Sequence, residues 1–297
     1  MKTTRYTVKD FNEQFQTSAD CLQFVFDMRW PKGLKCKCGI KGAKFYPIRK
    51  RKCYCCSRCG NQVSPTAGTI FHKSETPLRS WLFAMFLISN SKNGVSAMEL
   101  QRQIGVTYKT AWRMNHQIRK LMQGDNGILK GVVEADETFI GGLSKNMHKA
   151  KRKLAIKGTG FVGKTAVAGV LERGGNVRAK VAANVGCQTL LPNILENVQK
   201  GAMVCTDEHR AYNGLSRLGF KHSRISHGAR QFVRGNVHTN SIEGFWSQLK
   251  RSINGTFHHV SKQHSQKYVD EFVYRYNLRG SGSIFSELSR RVAEQHA

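Results

Sequence analysis

The spacing of apolar positions changes along the chain and divides it into regions of different structure. Apolar residues recur at helical spacing through residues 76–123, which predicts consecutive amphipathic helices. Residues 1–30 carry a similar pattern and predict a short helical lead-in, with Ser18 or Asp20 as its cap. Residues 31–71 show little periodicity and are rich in Lys, Arg, Gly and Cys. The first part of the chain is therefore expected to be helical around one irregular module.

A Gly- and Asn-containing stretch at residues 123–127 ends the helical pattern and predicts a domain boundary. Beyond it, short apolar runs predict strands and longer amphipathic runs predict helices: strands at 131–137, 165–171, 177–185 and 202–206, and helices at 190–198, 241–253 and 266–276. Short strands followed by helices are typical of a mixed α/β domain with helices packed on a sheet. We expect four regions: 1–30, 31–71, 72–125 and the α/β domain at 126–297.

Basic side chains far outnumber acidic ones. Lys and Arg total 48 against 19 Asp and Glu, which gives a formal net charge of +29 and a pI near 10.1. Such a chain attracts polyanions, so nucleic acid is the first partner to expect. No apolar run approaches the roughly 20 residues of a membrane span, and no apolar segment follows the first residues as in a secretory signal. We expect a cytoplasmic, nucleoid-associated protein with no membrane partner.

Six of the nine cysteines fall within residues 36–59, a clustering typical of a metal site rather than of a disulfide framework. Cys36 and Cys38 form a short pair, and the other four form a second group. A glycine directly follows Cys38 and Cys59. Zinc takes four thiolates at tetrahedral corners, and glycine lets the backbone curl around the metal. We predict four ligands of a structural Zn²⁺: Cys36, Cys38, Cys56 and Cys59. Cys53 and Cys55 are alternatives to one of these.

Residues 95–122 have the pattern of a helix-turn-helix. Ser96 and Glu99 suit a capping box at the start of the first helix, and Gly105 begins the turn to the second. The second helix is expected to enter the major groove of DNA with its polar side chains outward, and the predicted contacts are Lys109, Arg113 and Asn115. An ordinary helical hairpin with a solvated basic face gives the same pattern, and the basic surroundings favour DNA.

Carboxylates are scarce in the second part of the chain, with five between residues 138 and 269. Asp136 and Asp207 are each expected at or near the end of a strand, and Glu243 on a helix that begins near Asn240. Glu134 competes with Asp136 for the position at the strand end. Salt bridges to the abundant Lys and Arg are the alternative role of these acids.

Carboxylates in a protein that binds polyphosphate repel the ligand unless cations lie between them. Mg²⁺ takes one or two carboxylates per ion and completes its shell with water and phosphate oxygens. Three acids can hold two ions that act on the attacking and leaving oxygens of an in-line phosphoryl displacement. Lys250 follows Glu243 by two helical turns and so shares its helix face.

Specific segments of the chain resemble a known family. They are residues 56–59, 64–71, 133–142, 207–212, 238–251 (HTNSIEGFWSQLKR) and 268–277 (YVDEFVYRYN). The chain resembles the DDE transposases of small bacterial insertion sequences that carry an N-terminal zinc ribbon, a group also similar to eukaryotic Merlin elements. The resemblance covers nearly the whole chain. It implies an RNase H-like catalytic domain preceded by a zinc ribbon and a helix-turn-helix region.

The resemblance also implies roles for individual residues. It implies three catalytic ligands of Mg²⁺ or Mn²⁺: Asp136, Asp207 and Glu243. Asn240 is an alternative third ligand or a partner of one, because some relatives use Asn in that role. Lys250 and Arg251 are expected to contact the DNA of the element end. The first cysteine pair departs from the family pattern, since one residue separates its members where two are usual.

The function expected from the resemblance is transposition of an insertion sequence. The chain would bind the terminal inverted repeats, cleave DNA by metal-dependent hydrolysis, and join the released 3′ hydroxyl to target DNA by strand transfer. The expected partners are both DNA duplexes and further copies of the chain in a homo-oligomer on DNA. The alternatives are a non-catalytic DNA-binding regulator derived from a transposase, and a metal-dependent nuclease without strand transfer.

Overall fold

The computed structural model describes residues 6–48, 51–124, 127–142, 147–155, 163–225, 233, 235, 237–280 and 283–295. The chain forms two compact units. Unit 1 comprises Met1–Leu121 and Ser281–Ala297, and unit 2 comprises Met122–Gly280. None of the described helices combines the length and the apolar character that crossing a membrane requires.

The described helices and strands follow one another in two series. The helices are α1 (Val8–Gln14), α2 (Ser18–Arg29), α3 (Leu78–Asn90), α4 (Ala97–Ile104), α5 (Tyr108–Leu121), α6 (Lys149–Ala155), α7 (Cys187–Asn197), α8 (Asn240–Ser252), α9 (Ser265–Asn277) and α10 (Ile284–Glu294). The strands are β1 (Phe45–Pro47), β2 (Tyr54–Cys56), β3 (Gln62–Val63), β4 (Val132–Ile140), β5 (Thr165–Glu172), β6 (Val177–Ala182), β7 (Met203–Thr206) and β8 (Lys221–Arg224).

The predicted helical lead-in consists of two helices, α1 and α2, and neither Ser18 nor Asp20 is the cap. Thr17 is the N-cap of α2, and its hydroxyl accepts from the Asp20 N–H, while the Asp20 carboxylate accepts from the Thr17 N–H at 2.7 Å. This reciprocal pair is a capping box, in which two of the unpaired donors at a helix start are satisfied. Asp20 is therefore the third helical residue of the box.

The C-terminal helix α10 lies in unit 1, although the sequence had assigned residues up to 297 to the α/β domain. Phe285 on α10 stacks on Phe24 at a ring-centroid distance of 6.1 Å and contacts Phe11, Phe15 and Phe86. Aromatic rings of this size dominate the burial energy of a small core. The apolar face of α10 is thus buried by helices from the other end of the chain, a pairing that local periodicity does not reveal.

The two helices predicted at residues 95–122 are present as α4 and α5. Ser96 caps α4 by accepting from the Glu99 N–H at 3.1 Å, and Gly105 ends it with φ 70°, a left-handed value suited to glycine. The expectation that Asn115 points outward is wrong. Its side chain is 1% exposed and donates to the Val95 carbonyl at 3.1 Å, so it fastens the segment before α4 to α5.

Unit 2 is built on a mixed five-stranded sheet of order β6-β5-β4-β7-β8. The pairs β6–β5 and β5–β4 are antiparallel, whereas β4–β7 and β7–β8 are parallel. The mixed α/β class expected from the sequence is confirmed. The sequence missed β8, which has the polar sequence Lys-His-Ser-Arg and therefore no apolar run.

Helices cover both faces of this sheet. Residues of α7 pack with Val133, Ala135 and Val204 on one face. Residues of α8 and α9 pack with Val167 and Leu171 on the other face. Successive side chains of a strand point to opposite faces, so the even-numbered positions of β4 face α8 and the odd-numbered positions near its start face α7.

The motif at 268–277 and its preceding turn protect an open sheet edge. Gln266 accepts from the Val181 N–H at 2.7 Å, and Asn277 both accepts from the Val177 N–H at 2.7 Å and donates to the Val177 carbonyl at 3.0 Å. These side chains of α9 satisfy backbone groups of the edge strand β6 that no neighbouring strand pairs. Part of this motif therefore serves the fold.

Candidate functional site

The parallel pairing of β4 and β7 brings two predicted carboxylates together. Val132, Val133 and Glu134 pair with Met203, Val204 and Cys205. Continued by two residues, this register places Asp136 beside Asp207, on strands about 4.8 Å apart. Asp207 follows the last residue of β7, as predicted.

Asp136 does not lie at a strand end, which corrects the sequence prediction. It is the fifth of nine residues in β4, because β4 continues beyond its parallel partner by pairing with β5 as far as Ile140. The strand end that matters is the end of β7. Because β7 stops at Thr206, one side of β4 is open at the level of Asp136. The carboxylate lies at the edge of that opening.

The environment of Asp136 disfavours its charge. Burial, followed by the nearby charges of Glu137 and Asp207, raises the pKa of Asp136 to about 7. The Trp246 indole Nε1 donates to Asp136 Oδ2 at 3.0 Å and partly offsets this rise. Such a site of crowded acids is stabilised by any positive charge placed among them.

Gly169 makes the contact between Trp246 and Asp136 possible. It pairs with Asp136 across β4 and β5 and faces α8. A Cβ at this position would lie 2.6 Å from Cη2 and Cζ2 of Trp246, closer than real contacts allow. An isolated glycine inside a strand pattern signals a close approach of this kind.

Glu134 holds the start of α8 in place, so its role differs from that of Asp136. Its carboxylate is fully buried and accepts from the Ser241 N–H at 2.9 Å, the Ile242 N–H at 3.0 Å and the Arg173 guanidinium at 2.7 Å. The N-cap of α8, Thr239, makes no capping hydrogen bond with its own side chain. Glu134 therefore takes the place of the cap, and its negative charge suits a helix N-terminus.

The remaining predicted residues of this site lie on α8. Asn240 is its first residue and is exposed, and Glu243 is exposed with Oε1 accepting from the Thr239 hydroxyl at 2.7 Å. Lys250 and Arg251 are exposed in its last turn. Among the described residues, Asp136, Asp207 and Glu243 do not form a ligand group as tight as the four cysteines described below. The structure thus pairs two of the three acids and leaves the third on the adjoining helix.

Glu137, adjacent to Asp136, also belongs to the acidic group. It accepts from the Tyr212 hydroxyl at 2.6 Å, and His209 Nδ1 lies 3.7 Å from its other oxygen. Burial raises the pKa of Glu137, and the nearby Asp207 adds to the rise. The segment after β7 therefore holds Glu137 in place.

Asp136, Glu137 and Asp207 line a cleft of about 750 Å³. Basic residues line the same cleft and are called its basic wall below: Lys164, Lys250 and His258. A cleft lined by both acids and bases suits a ligand that presents phosphate to the bases and cations to the acids.

The four cysteines predicted as zinc ligands come together in unit 1. The Sγ atoms of Cys36, Cys38, Cys56 and Cys59 all lie within 4.8 Å of one another. Cys36 Sγ lies 3.4 Å from Cys59 Sγ, close to the separation of about 3.8 Å that tetrahedral Zn–S bonds impose. The donor set therefore fits zinc.

The turns around this cluster also match the prediction. Gly39 and Gly60 follow the two cysteine pairs with φ 72° and 74°. The backbone N–H groups of Arg58 and Cys59 lower the pKa of the Cys56 thiol to about 7, which favours the thiolate that metals bind. Cys53 and Cys55, the alternatives, lie outside the cluster, and Cys55 Sγ instead lies 3.3 Å from the Gly60 carbonyl oxygen.

On α5, the predicted DNA contacts Lys109 and Arg113 are exposed. Tyr108 and Trp112, which alternate with them, are 47% and 38% exposed. This basic and aromatic face is the surface that α5 offers to a ligand.

Comparison with known proteins identifies the family. Residues 128–277 match the family model of the ISXO2-like transposase domain, a DDE family, and residues 16–62 match that of the transposase zinc-ribbon domain. The chain belongs to the ISXO2-like DDE transposases. The matched ribbon includes α2, whose Leu22 and Phe26 pack against Tyr54 of β2, so the zinc ribbon begins before residue 31.

A relative of this transposase is a protein of Halobacterium salinarum, described as an uncharacterized protein in transposable element ISH50. It is 26% identical over 271 residues, which cover 88% of this chain and 91% of that protein.

Two solved structures show weak likeness. The simian T-cell lymphotropic virus intasome, in complex with a PP2A regulatory subunit, gives a TM-score of 0.32 at 12% identity, over 71% of this chain and 74% of that chain. A pre-cleavage Mos1 transpososome gives 0.29 at 11% identity, over 73% and 79%. Both TM-scores are too low to assign a fold.

Sequence reasoning did not assign a role to Gly169, Tyr212, Trp246 or His258 of the transposase. Trp246 is buried and also donates to Asp136. The available signals were a glycine inside the strand pattern of β5 and a tryptophan three residues after Glu243. His258 carried no signal, because its place in the cleft depends on the course of the backbone after α8.

Proposed function

We propose that this transposase binds the ends of its element, cleaves DNA by metal-dependent hydrolysis and joins the 3′ hydroxyl to target DNA. The observation that carries the proposal is the adjacent pair Asp136 and Asp207 in the cleft that also contains the basic wall. A phosphodiester held by that wall would lie over the two carboxylates. Water or a 3′ hydroxyl would attack it there.

The proposed catalytic metal is Mg²⁺ or Mn²⁺, and the donor set fits such ions. Asp136 and Asp207 are neighbouring oxygen donors, and the charge of Asp207 contributes to the raised pKa of Asp136. Bound at these acids, the ions would activate the attacking oxygen and stabilise the leaving one. Glu243 would complete the set when its side chain turns from Thr239 toward the cleft. Trp246, one helical turn later, holds the Asp136 carboxylate in position.

The proposed fold of unit 2 is RNase H-like. Three antiparallel strands followed by two parallel ones, in the order β6-β5-β4-β7-β8, support it. In this arrangement β4, the first strand of unit 2 in sequence order, is central and carries Asp136 beside the end of β7.

DNA would be held by both units. In unit 1, Lys109 and Arg113 would contact DNA through the exposed face of α5, and the zinc ribbon would contribute a rigid basic surface. In unit 2, Lys250 and Arg251 would contact the element end. Two ends have to be brought together for transposition, so a homo-oligomer on DNA is part of the proposal.

The test is cleavage of labelled duplexes taken from the DNA that flanks the reading frame, in Mg²⁺ or Mn²⁺. Asp207→Asn should bind these duplexes as the wild type does and leave them uncut, while the exposed Glu196→Gln should cut at the wild-type rate. Undiminished cleavage by Asp207→Asn would remove it from the site. Binding without cleavage by the wild type would favour the non-catalytic regulator.

Glu243→Gln tests the third ligand separately. Cleavage should be lost while binding to the same duplexes persists, because the neutral amide of Gln is a much weaker ligand of Mg²⁺ than the carboxylate of Glu243. If Glu243→Gln cleaves normally and Asn240→Ala does not, Asn240 holds the third position instead.

A further inference from the structure

The basic wall of the cleft is formed partly by the chain that follows α8. A π-helical turn spans Ile253–Phe257, and the cleft is lined there by Ile253, Asn254 and His258. π-Helical turns are rare and occur frequently at functional sites.

His258 has a backbone conformation that residues other than glycine rarely adopt. Its φ is 57° and its ψ −47°. The His259 N–H donates to the Phe257 carbonyl at 2.6 Å, which closes a γ-turn centred on His258. A γ-turn with positive φ is strained, and strain of this kind persists where it places a side chain for function. Glycine would satisfy the backbone better, yet the chain has histidine.

The strained turn presents the imidazole of His258 to the cleft. Its Nδ1 lies 3.1 Å from the Asn254 carbonyl oxygen, which can only accept, so Nδ1 carries the proton. The other ring nitrogen, Nε2, is then the one available to a ligand. The ring is exposed and lines the cleft together with Lys164.

We propose that His258, Asn254 and Lys164 form a site for the phosphates of the DNA strand that flank the cleaved bond, an inference that rests on the proposed function. The acids of the cleft repel an anionic strand, so the strand needs donors on the basic wall. A phosphate oxygen in this site would accept a hydrogen bond from Nε2–H of the imidazolium form of the ring. Lys164 adds a positive charge on the same cleft.

Asn254 follows Trp246, the residue in contact with Asp136, by eight residues, or about 12 Å along a helix. The basic wall is therefore offset from the acids. His258 would contact phosphates that flank the cleaved bond rather than the reacting phosphate itself, so it is a positioning residue.

The first test compares His258→Gly with the matched control His259→Ala in the full chain. His259 is exposed and does not line the cleft. His258→Gly relieves the strain and removes the ring, so its melting temperature should hold or rise while single-turnover cleavage slows about tenfold or more. Cleavage by His259→Ala should remain at the wild-type rate. His258→Asn, which tolerates positive φ and keeps a donor, should recover part of the rate.

A purely structural role gives the opposite pattern. Wild-type cleavage by His258→Gly would overturn the proposal, and so would a slower rate that is matched by lost thermal stability. Asp136→Asn run in parallel shows whether the cleavage assay reports on the proposed active site.

A second readout does not depend on cleavage. The full chain is treated with diethylpyrocarbonate with and without an end duplex, and each histidine is followed by mass spectrometry. The duplex should protect His258 more than His259. Equal modification of His258 with and without DNA overturns the phosphate site. Protection of His258 in a chain that cuts no DNA supports the site and contradicts only the proposed chemistry.

Discussion

Replacing Glu134 by Gln should strongly destabilise unit 2, although the two side chains have the same shape. Glu134 accepts from the Arg173 guanidinium at 2.7 Å and the Ser241 hydroxyl at 3.0 Å at one oxygen, which also lies 3.2 Å from His238 Nδ1, and from two backbone N–H groups of α8 at the other. In Glu134→Gln, the amide NH2 group replaces one of these oxygens. At either position it is a donor that lies against other donors, so hydrogen bonds are lost. The charge of Arg173 also loses its buried partner.

Breaking a buried, hydrogen-bonded ion pair costs about 3–5 kcal/mol. For a unit of this size that is a drop in melting temperature on the order of 10 °C. Urea unfolding followed by hydrogen exchange and mass spectrometry would measure the free energy of unfolding for peptides of unit 2 separately from those of unit 1. Glu196→Gln, exposed on α7, is the control and should change the free energy by less than about 0.5 kcal/mol.

The reasoning about α8 would be refuted by a loss below about 1 kcal/mol in Glu134→Gln, the size of one ordinary surface hydrogen bond. It would also be refuted if exchange increased uniformly in both units. The expected pattern is loss of protection that begins at the start of α8 and in β4.

Three further changes test other parts of the structure. Gly169→Ala should lower the free energy of unfolding by about 1–3 kcal/mol and break the contact between Trp246 and Asp136. At Gly244 an added Cβ meets no atom within 4 Å, so Gly244→Ala should instead stabilise α8 by about 0.5–1 kcal/mol. Equal effects of the two variants in thermal unfolding would contradict the packing argument. Cys56→Ser should abolish stoichiometric zinc in the purified chain, and Cys55→Ser should not; a zinc content of zero in the wild type would exclude the metal centre. Burial lowers the pKa of His222 from 6.5 to about 4. As the pH falls through this range, the His222 side chain is protonated in the unfolded chain but stays neutral in the folded chain. The free energy of unfolding of unit 2 should then decrease by up to about 3 kcal/mol between pH 6.5 and pH 4, and His222→Gln should flatten that part of the profile, as measured by urea titration at each pH; an unchanged slope would contradict the assignment.

Local patterns were sufficient to predict most of the elements. The apolar runs that become β5 and β7, the periodic faces of α8 and α9, and the turn at Gly105 between α4 and α5 are each specified by neighbouring residues. β8 was missed because it is short and polar and is a strand only through pairing with β7. The role of α10 was missed because its apolar face is buried by residues more than 190 positions earlier in the chain, as the Phe285 contacts show.

By itself, the sequence determined the chemistry of the sites: four cysteines with glycines after each pair, two acids placed by strands, and a basic chain around them. Tertiary structure alone decided which acid does what. Glu134 and Asp136 are two residues apart and face the same helix. The start of α8 contacts Glu134, whereas the end of β7 leaves the sheet open beside Asp136. A burial pattern cannot distinguish these positions, because the difference arises from where another segment ends. The strained His258 is of the same kind, since its place in the cleft follows from the path of the backbone and not from its own neighbours.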